Sequence, residues 1–153
     1  MTRRIRIAET DEETARCFPV MAELRPHVGE DEFVGRVERQ RADGYELAFL
    51  EDGGEVKAVA GFRIHECLAS GRHMYVDDLV TRSDARSQGH GQRLFDWLVA
   101  YAKEGGCEEL HLDSGVHRFG AHRVYLLNRM EIVAHHFGLK LKDATAREAG
   151  RKP

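Results

Sequence analysis

The chain has 153 residues, of which 42% are hydrophobic and 32% charged, and its formal net charge is −3. That apolar content can offset the entropy lost on folding, so a disordered chain is excluded. No apolar run approaches the roughly 18 residues that a membrane-spanning helix needs. The small negative charge provides no field that would favour nucleic acid. We expect a single domain over residues 1–145 and a polar tail over residues 146–153.

The cysteines and the first residues indicate the compartment. Cys17, Cys67 and Cys107 lie far apart and form no Cys-x-x-Cys pair, which argues against a disulfide framework or a zinc site. The segment Met1–Ile7 is basic but has no apolar stretch behind it, so it is not a secretory signal. We expect reduced thiols, a cytoplasmic protein and no metal.

The first third of the chain predicts one strand and two helices. Arg3–Ile7 alternates charged and apolar residues, as a strand does. Thr10 followed by acidic residues is typical of a helix start, and that helix is expected to run to about Leu24 before Pro26. Asp31 to about Arg41 predicts a second, highly charged helix.

The middle of the chain predicts three strands, at Tyr45–Leu50, at Val56 to about Cys67, and at Met74–Thr81. Their connections are too short for crossover helices. We therefore expect an antiparallel meander.

The last part of the chain predicts alternating helices and strands. Apolar spacing indicates helices over Gly91–Lys103 and Phe119 to about Arg129, and strands over Glu108–Leu112 and Ile132–Leu141. A strand on each side of the first of these helices makes a parallel crossover. The predicted order is β-α-α-β-β-β-α-β-α-β, which defines an α+β fold with a mixed, mostly antiparallel sheet flanked by helices.

A glycine-rich loop is expected between the third meander strand and the next helix. It holds Arg86, Gly89 and Gly91, and the helix begins at once. Unpaired amides at a helix start, together with the positive end of its dipole, suit a pyrophosphate. The spacing is not that of a nucleotide P-loop, and Leu94 stands where a dinucleotide fingerprint needs its third glycine. A tight turn with ordinary surface arginines is the alternative.

Two motifs carry a family resemblance. Arg86-x-x-Gly89-x-Gly91 resembles the acetyl-CoA signature of the GCN5-related N-acetyltransferases, and Ala121–Met130 is similar to the segment on that family's last helix. The predicted element order is also that family's order, so the resemblance covers nearly the whole chain. It implies the GNAT fold.

Further runs refine the resemblance. Leu112–Gly115 and His135–Phe137 are similar to bacterial small-molecule members, some of which carry histone-acetyltransferase-like labels. Arg129 departs from the family pattern, which has glycine at this point. We expect Arg129 either to strain the left-handed helix end or to shift it to Asn128, which tolerates that conformation.

The resemblance implies acetyl-CoA as cosubstrate. Strand-end amides are expected to hold the thioester and the pantetheine arm, and loop amides the pyrophosphate. The expected cofactor-binding residues are Leu79, Val80, Arg86, Ser87, Gln88, Gly89, His90, Gly91 and Gln92.

Tyr125 matches the family's tyrosine, which is expected to protonate the leaving thiolate as general acid. A core tyrosine on an amphipathic helix is the alternative. A lysine-like amine, with a pKa of about 10, must also lose a proton before it attacks.

Asp78 is the first candidate for the base. Consecutive strand residues face opposite sides, so we expect only one of Asp77 and Asp78 to point into the cleft. Asp78 would share a face with Val76 and Val80, and an apolar setting suits a base. Members similar to aminoalkylphosphonate acetyltransferases carry an acidic residue at this place. Asp77 and Glu66 are the further candidates, and a salt bridge or a purely binding role is the alternative.

These observations predict an N-acetyltransferase that transfers acetyl from acetyl-CoA directly to a primary amine of a small molecule. Two alternatives stay open, namely acetylation of a protein lysine or N-terminus, and a non-catalytic acyl-CoA-binding regulatory module. Cys67 or Cys107 as an acyl carrier would require ping-pong kinetics and a paired base that the sequence does not indicate. We expect no nucleic-acid or membrane partner, and relatives suggest a homodimer.

Overall fold

A computed structural model describes residues 2–142. These residues form two compact units, one ending at Leu112 and the other beginning at Asp113. The predicted tail over residues 146–153 lies outside the described residues. Each unit is described by itself below.

The first unit is built on a five-stranded sheet. Its strands follow one another in chain order across the sheet, with β1 to β4 antiparallel and β5 parallel to β4. The predicted meander and crossover are therefore both present. The strands are β1 Arg3–Ile7, β2 Tyr45–Asp52, β3 Glu55–Cys67, β4 Gly71–Thr81 and β5 Glu109–Leu112.

Four α-helices complete the first unit, α1 Asp11–Arg16, α2 Phe18–Leu24, α3 Glu30–Arg41 and α4 His90–Glu104. The single helix predicted up to Leu24 is in fact two, with a break at Cys17. Pro19 explains the break, because proline has no N–H to continue the helical hydrogen bonds and is tolerated only in a first turn. Within residues 2–142, no helix is long and apolar enough to cross a bilayer.

The sheet separates two hydrophobic clusters. One lies between the sheet and the helices α2 and α3, and it includes Met21, Phe33 and Tyr45. The other lies between the sheet and α4, where Leu94 and Leu98 are completely buried. Truncating either leucine to alanine would cost about 2–5 kcal/mol of stability. These two layers hold β4 in the middle of the unit, with helices on both faces.

The second unit contains α5, Phe119–Leu127. Arg129 lies just past its end with φ +66°, and Asn128 has φ −88°. The amides of Arg129 and Met130 donate to the carbonyls of Leu126 and Tyr125, each over 3.1 Å, which is the Schellman arrangement. The left-handed position is therefore Arg129 itself, and the alternative shift to Asn128 does not occur.

The strand predicted over Ile132–Leu141 is wrong. No strand or helix forms between residues 131 and 140, and the side chains of Ile132, Val133 and Phe137 are 80%, 70% and 91% exposed. An apolar segment becomes a strand only where a neighbour supplies hydrogen bonds, and no described strand pairs with this segment.

Candidate active site

A β-bulge interrupts β4 at Asp77. Gly61 of β3 pairs with Asp78 and Phe62 pairs with Val76, so Asp77 is the extra residue. The bulge reverses the alternation of side chains along β4, and Val76 and Val80 pack into opposite clusters. The expectation that only one carboxylate faces the cleft is wrong, because Asp77 and Asp78 line the same cavity.

This cavity lies between α2, α3 and the sheet, and its volume is about 280 Å³. One wall is apolar. The opposite side presents the phenol of Tyr45 and the two carboxylates, and Arg25 and Arg36 add positive charge. The apolar wall consists of Met21, Val28, Phe33 and Val37.

The carboxylate of Asp78 is held at both oxygens. Arg25 Nε donates to Oδ1 over 2.9 Å, and the Tyr45 hydroxyl donates to Oδ2 over 2.8 Å. Arg25 Nη2 also donates to the Asp77 carbonyl over 2.9 Å. Neither Arg25 nor Tyr45 was among the predicted site residues.

Asp77 has a different environment. Arg63 Nε lies 3.1 Å and 3.3 Å from its two oxygens. Burial raises the pKa of Asp77 above the ordinary carboxyl value of 3.8, although the Arg63 guanidinium opposes that rise. A raised pKa makes a carboxylate a better proton acceptor near neutral pH.

The outer edge of β4 is open next to this cavity. β5 pairs with β4 only from His73 to Val76, and no described strand pairs with that edge beyond this point. Leu79 and Val80 lie on the open stretch, with their other edge paired to β3. Such an edge offers backbone donors and acceptors to an extended ligand.

The loop after β4 has the geometry of an anion cradle. Ser87 and Gly89 have φ of +65° and +82°, and α4 begins at His90, with its first helical hydrogen bond from Arg93 N to Gly89 O. The amide of His90 precedes that bond and has no intrahelical acceptor. A Cβ at Gly89 would meet nothing within 4 Å, so the backbone at this glycine is open to an approaching anion.

The other predicted loop residues differ in what they present. Arg86, Ser87, Gln88 and Gln92 are exposed. Packing explains why residue 91 is a glycine, because a Cβ there would lie 2.9 Å from Thr81 Oγ1.

Two side chains near the loop are already engaged within the protein. The His90 side chain is buried, 4.0 Å from Asp52, and burial lowers its pKa, so only its backbone is offered to a ligand. Arg82 is paired with Glu55 and Asp84.

Tyr125 lies on α5 in the second unit and is partly buried. Burial raises the pKa of its phenol, and Arg118 opposes that rise. The phenol therefore keeps its proton at neutral pH, as a proton donor must.

Glu66 and Cys67 lie elsewhere. Glu66 is exposed, and on the neighbouring strand it pairs with Arg72. Arg72 lies six residues before Asp78 on β4, so Glu66 is about 20 Å along the sheet from the Asp78 position. Cys67 Sγ is 3.8 Å from His73 Nδ1, but that nitrogen is 3.0 Å from the Gly71 carbonyl, to which it must donate. His73 Nδ1 therefore cannot take a proton from Cys67.

An isolated glycine inside a predicted strand indicates a bulge or a close approach. Gly61 is such a residue and was the one signal for the bulge. The sequence held no comparable sign of Arg25, Tyr45 or Arg63.

Residues 7–128 match the model of the acetyltransferase (GNAT) family. A curated relative, the uncharacterized N-acetyltransferase YhdJ of Bacillus subtilis strain 168, is 32% identical over 115 residues, which are 74% of this chain and 81% of the relative. The chain belongs to the GNAT family. The predicted fold class and the predicted enzyme class, an acetyl-CoA-dependent N-acetyltransferase, are confirmed.

Solved structures share the fold at low identity. Glucosamine-6-phosphate N-acetyltransferase from Arabidopsis thaliana matches with a TM-score of 0.72 and 21% identity, covering 92% of this chain and 99% of that one. Aminoglycoside N-acetyltransferase AAC(6')-Iy in complex with CoA matches with a TM-score of 0.80 and 15% identity, covering 92% and 95%.

Proposed function

We propose that this enzyme transfers the acetyl group of acetyl-CoA directly to the primary amine of a small molecule. The observation that carries the proposal is the cavity of about 280 Å³ with Asp77 and Asp78 on one side. That volume is at the small end of ligand pockets and suits a metabolite-sized acceptor. Two neighbours in fold are named for small amine substrates, an aminoglycoside and glucosamine 6-phosphate.

In this proposal the two carboxylates have separate tasks. Asp78, fixed by Arg25 and Tyr45, binds an N–H of the amine. Asp77, whose pKa is raised by burial, accepts the proton that the amine must lose, directly or through a water. The apolar wall holds the body of the substrate and limits water around the amine.

The cradle and the open edge of β4 fit acetyl-CoA, which supplies the acetyl group as a reactive thioester. Amides from Arg86 to Gln92 would hold the pyrophosphate, with space at Gly89. Backbone groups at Leu79 and Val80 would hold the pantetheine arm and the carbonyl oxygen. Tyr125 would donate the proton that the departing sulfur needs.

Two of the three thiols are poorly suited to carry an acetyl group, which supports direct transfer. Burial raises the pKa of Cys17 to about 12, and Cys67 has a histidine that cannot act as its base. An acyl-cysteine would need a thiolate near neutral pH. The cytoplasmic location and the homodimer stay predictions.

The test is CoA release measured with a thiol reagent against phenylethylamine, putrescine, glucosamine 6-phosphate, an aminoglycoside and a lysine peptide. We expect saturable turnover with at least one small amine. Turnover with the peptide alone would favour the protein-acetylating alternative. Tight acetyl-CoA binding without release for any acceptor would favour the regulatory module.

A further inference from the structure

Tyr45 and Asp78 are joined across an intervening strand. Tyr45 begins β2 and Asp78 lies on β4, with β3 between them, so the two backbones are about 10 Å apart. The Tyr45 side chain, 3% exposed, spans that distance on the face packed by α2 and α3, and its hydroxyl donates to Asp78 Oδ2 over 2.8 Å.

Gly61 makes this crossing possible. It lies on β3 between the two residues, where it pairs with Leu47 on one side and Asp78 on the other. A Cβ at Gly61 would be 1.8 Å from the Tyr45 hydroxyl oxygen and 2.4 Å from its Cζ atom. Gly61 does not have a positive φ, so the glycine is explained by space rather than by backbone conformation.

The Tyr45 phenol is held in its donor state. Burial, followed by the charge of Asp78, raises its pKa well above 10.0, so it remains protonated wherever the enzyme works. The Arg63 guanidinium, which pairs with Asp77, lies 5.4 Å from the centre of the Tyr45 ring. The Tyr45 ring is therefore fixed on one side by Gly61 and on another by Arg63.

We infer that Tyr45 is a positioning residue which, lying over Gly61, fixes Oδ2 of Asp78 in the acceptor cavity and thereby sets the affinity for the amine. This inference rests on the proposed function. Asp78 has one oxygen bound by Arg25 and the other by Tyr45. Without the phenol the carboxylate has one fixed oxygen and can rotate away from the amine.

Tyr45→Phe tests the inference because it keeps the ring and removes only the hydroxyl. With the best amine of the panel, KM for the amine should rise about 10-fold, as expected for a lost hydrogen bond to a charged group. KM for acetyl-CoA should stay unchanged. A partly unfolded population would lower the apparent kcat and change neither KM. A rise in KM for the amine alone therefore indicates a positioning role and not a loss of stability. Tyr101→Phe on α4 is the control.

Gly61→Ala provides an independent second variant. The added methyl group displaces the Tyr45 ring, so KM for the amine should rise by a similar factor. In the Tyr45→Phe background the same substitution should add little to KM, because the hydroxyl contact is already absent. Gly35→Ala on α3, where a Cβ meets only Arg39 Nη1 at 3.7 Å, is the matched control.

The outcomes separate the two proposals. If the wild-type enzyme acetylates small amines but Tyr45→Phe leaves KM for the amine unchanged, or raises both KM values alike, the positioning role is overturned and the function stands. Independent, additive effects of Gly61→Ala and Tyr45→Phe would also contradict it. If the wild-type enzyme turns over no amine, both proposals fail.

Discussion

Arg63 Nε lies 3.1 Å from Oδ2 of Asp77, so the proposed proton acceptor has a permanent cation as its neighbour. The cation favours the charged carboxylate and lowers the pKa of Asp77, whereas burial raises that pKa and is the larger influence. Proton affinity at this residue is thus set by two opposed effects, and one of them can be removed by mutation.

Arg63→Gln should move the acidic limb of the kcat/KM profile to higher pH by about 1 unit. The sign follows because the base must be deprotonated to work, and loss of the cation raises the pKa of Asp77 further. The measurement is kcat/KM for the amine between about pH 5 and 9. Arg39→Gln, on the exposed side of α3, is the control for the lost charge. If the acidic limb stays in place or moves to lower pH, a group other than Asp77 accepts the proton of the amine.

Gly89→Ala should weaken acetyl-CoA binding about 10-fold, since a side chain in the left-handed region costs about 1–2 kcal/mol and the loop must shift. Calorimetry measures the change. Gly44→Ala is a matched control, because Gly44 also has a positive φ of +94° and open space around its Cβ. It should lose similar stability and keep its acetyl-CoA affinity. If Gly89→Ala and Gly44→Ala bind acetyl-CoA equally well, the loop around Gly89 does not form the pyrophosphate site.

Tyr125→Phe should lower kcat by a factor on the order of 10² while acetyl-CoA affinity stays near that of the wild type, because only the proton donor is lost. Steady-state kinetics and calorimetry together make the comparison. An unchanged kcat would assign Tyr125 to packing on α5.

Arg129→Gly should stabilise the protein by about 1 kcal/mol, because glycine adopts the left-handed φ of +66° without the steric cost that arginine carries. Urea unfolding measures the difference. Asn128→Gly, at the C-cap with φ −88°, is the control and should lower stability, because glycine gains no relief at a negative φ and is the more flexible residue. Equal effects at the two positions would contradict this account of the helix end.

Apolar spacing within single segments predicted most of the helices and strands. The strand that was wrongly predicted depends on pairing between segments. The apolar spacing of α4 and the alternation of β1 are properties of single segments, and both elements form as predicted. Ile132–Leu141 is rich in apolar residues too, but a strand depends on a partner that one segment cannot reveal. The helix break at Cys17 could have been predicted from Pro19.

The site was predictable only in part for the same reason. The loop glycines and the carboxylates of β4 stand out in the sequence, whereas the bulge at Asp77 depends on how β3 and β4 align. That alignment brings both carboxylates into one cavity and sets Tyr45 over Gly61. Arg25 contacts Asp78 across 53 positions of sequence, a separation that no local pattern reports.

The measurement that tests the central claim most directly compares the wild-type enzyme with Asp77→Asn for amine-dependent CoA release and for acetyl-CoA affinity. We expect saturable release with a small primary amine in the wild-type enzyme. In Asp77→Asn, kcat/KM should fall by a factor on the order of 10² or more while acetyl-CoA affinity is unchanged. No amine-dependent release by the wild-type enzyme, or equal rates in the two proteins, would contradict the account.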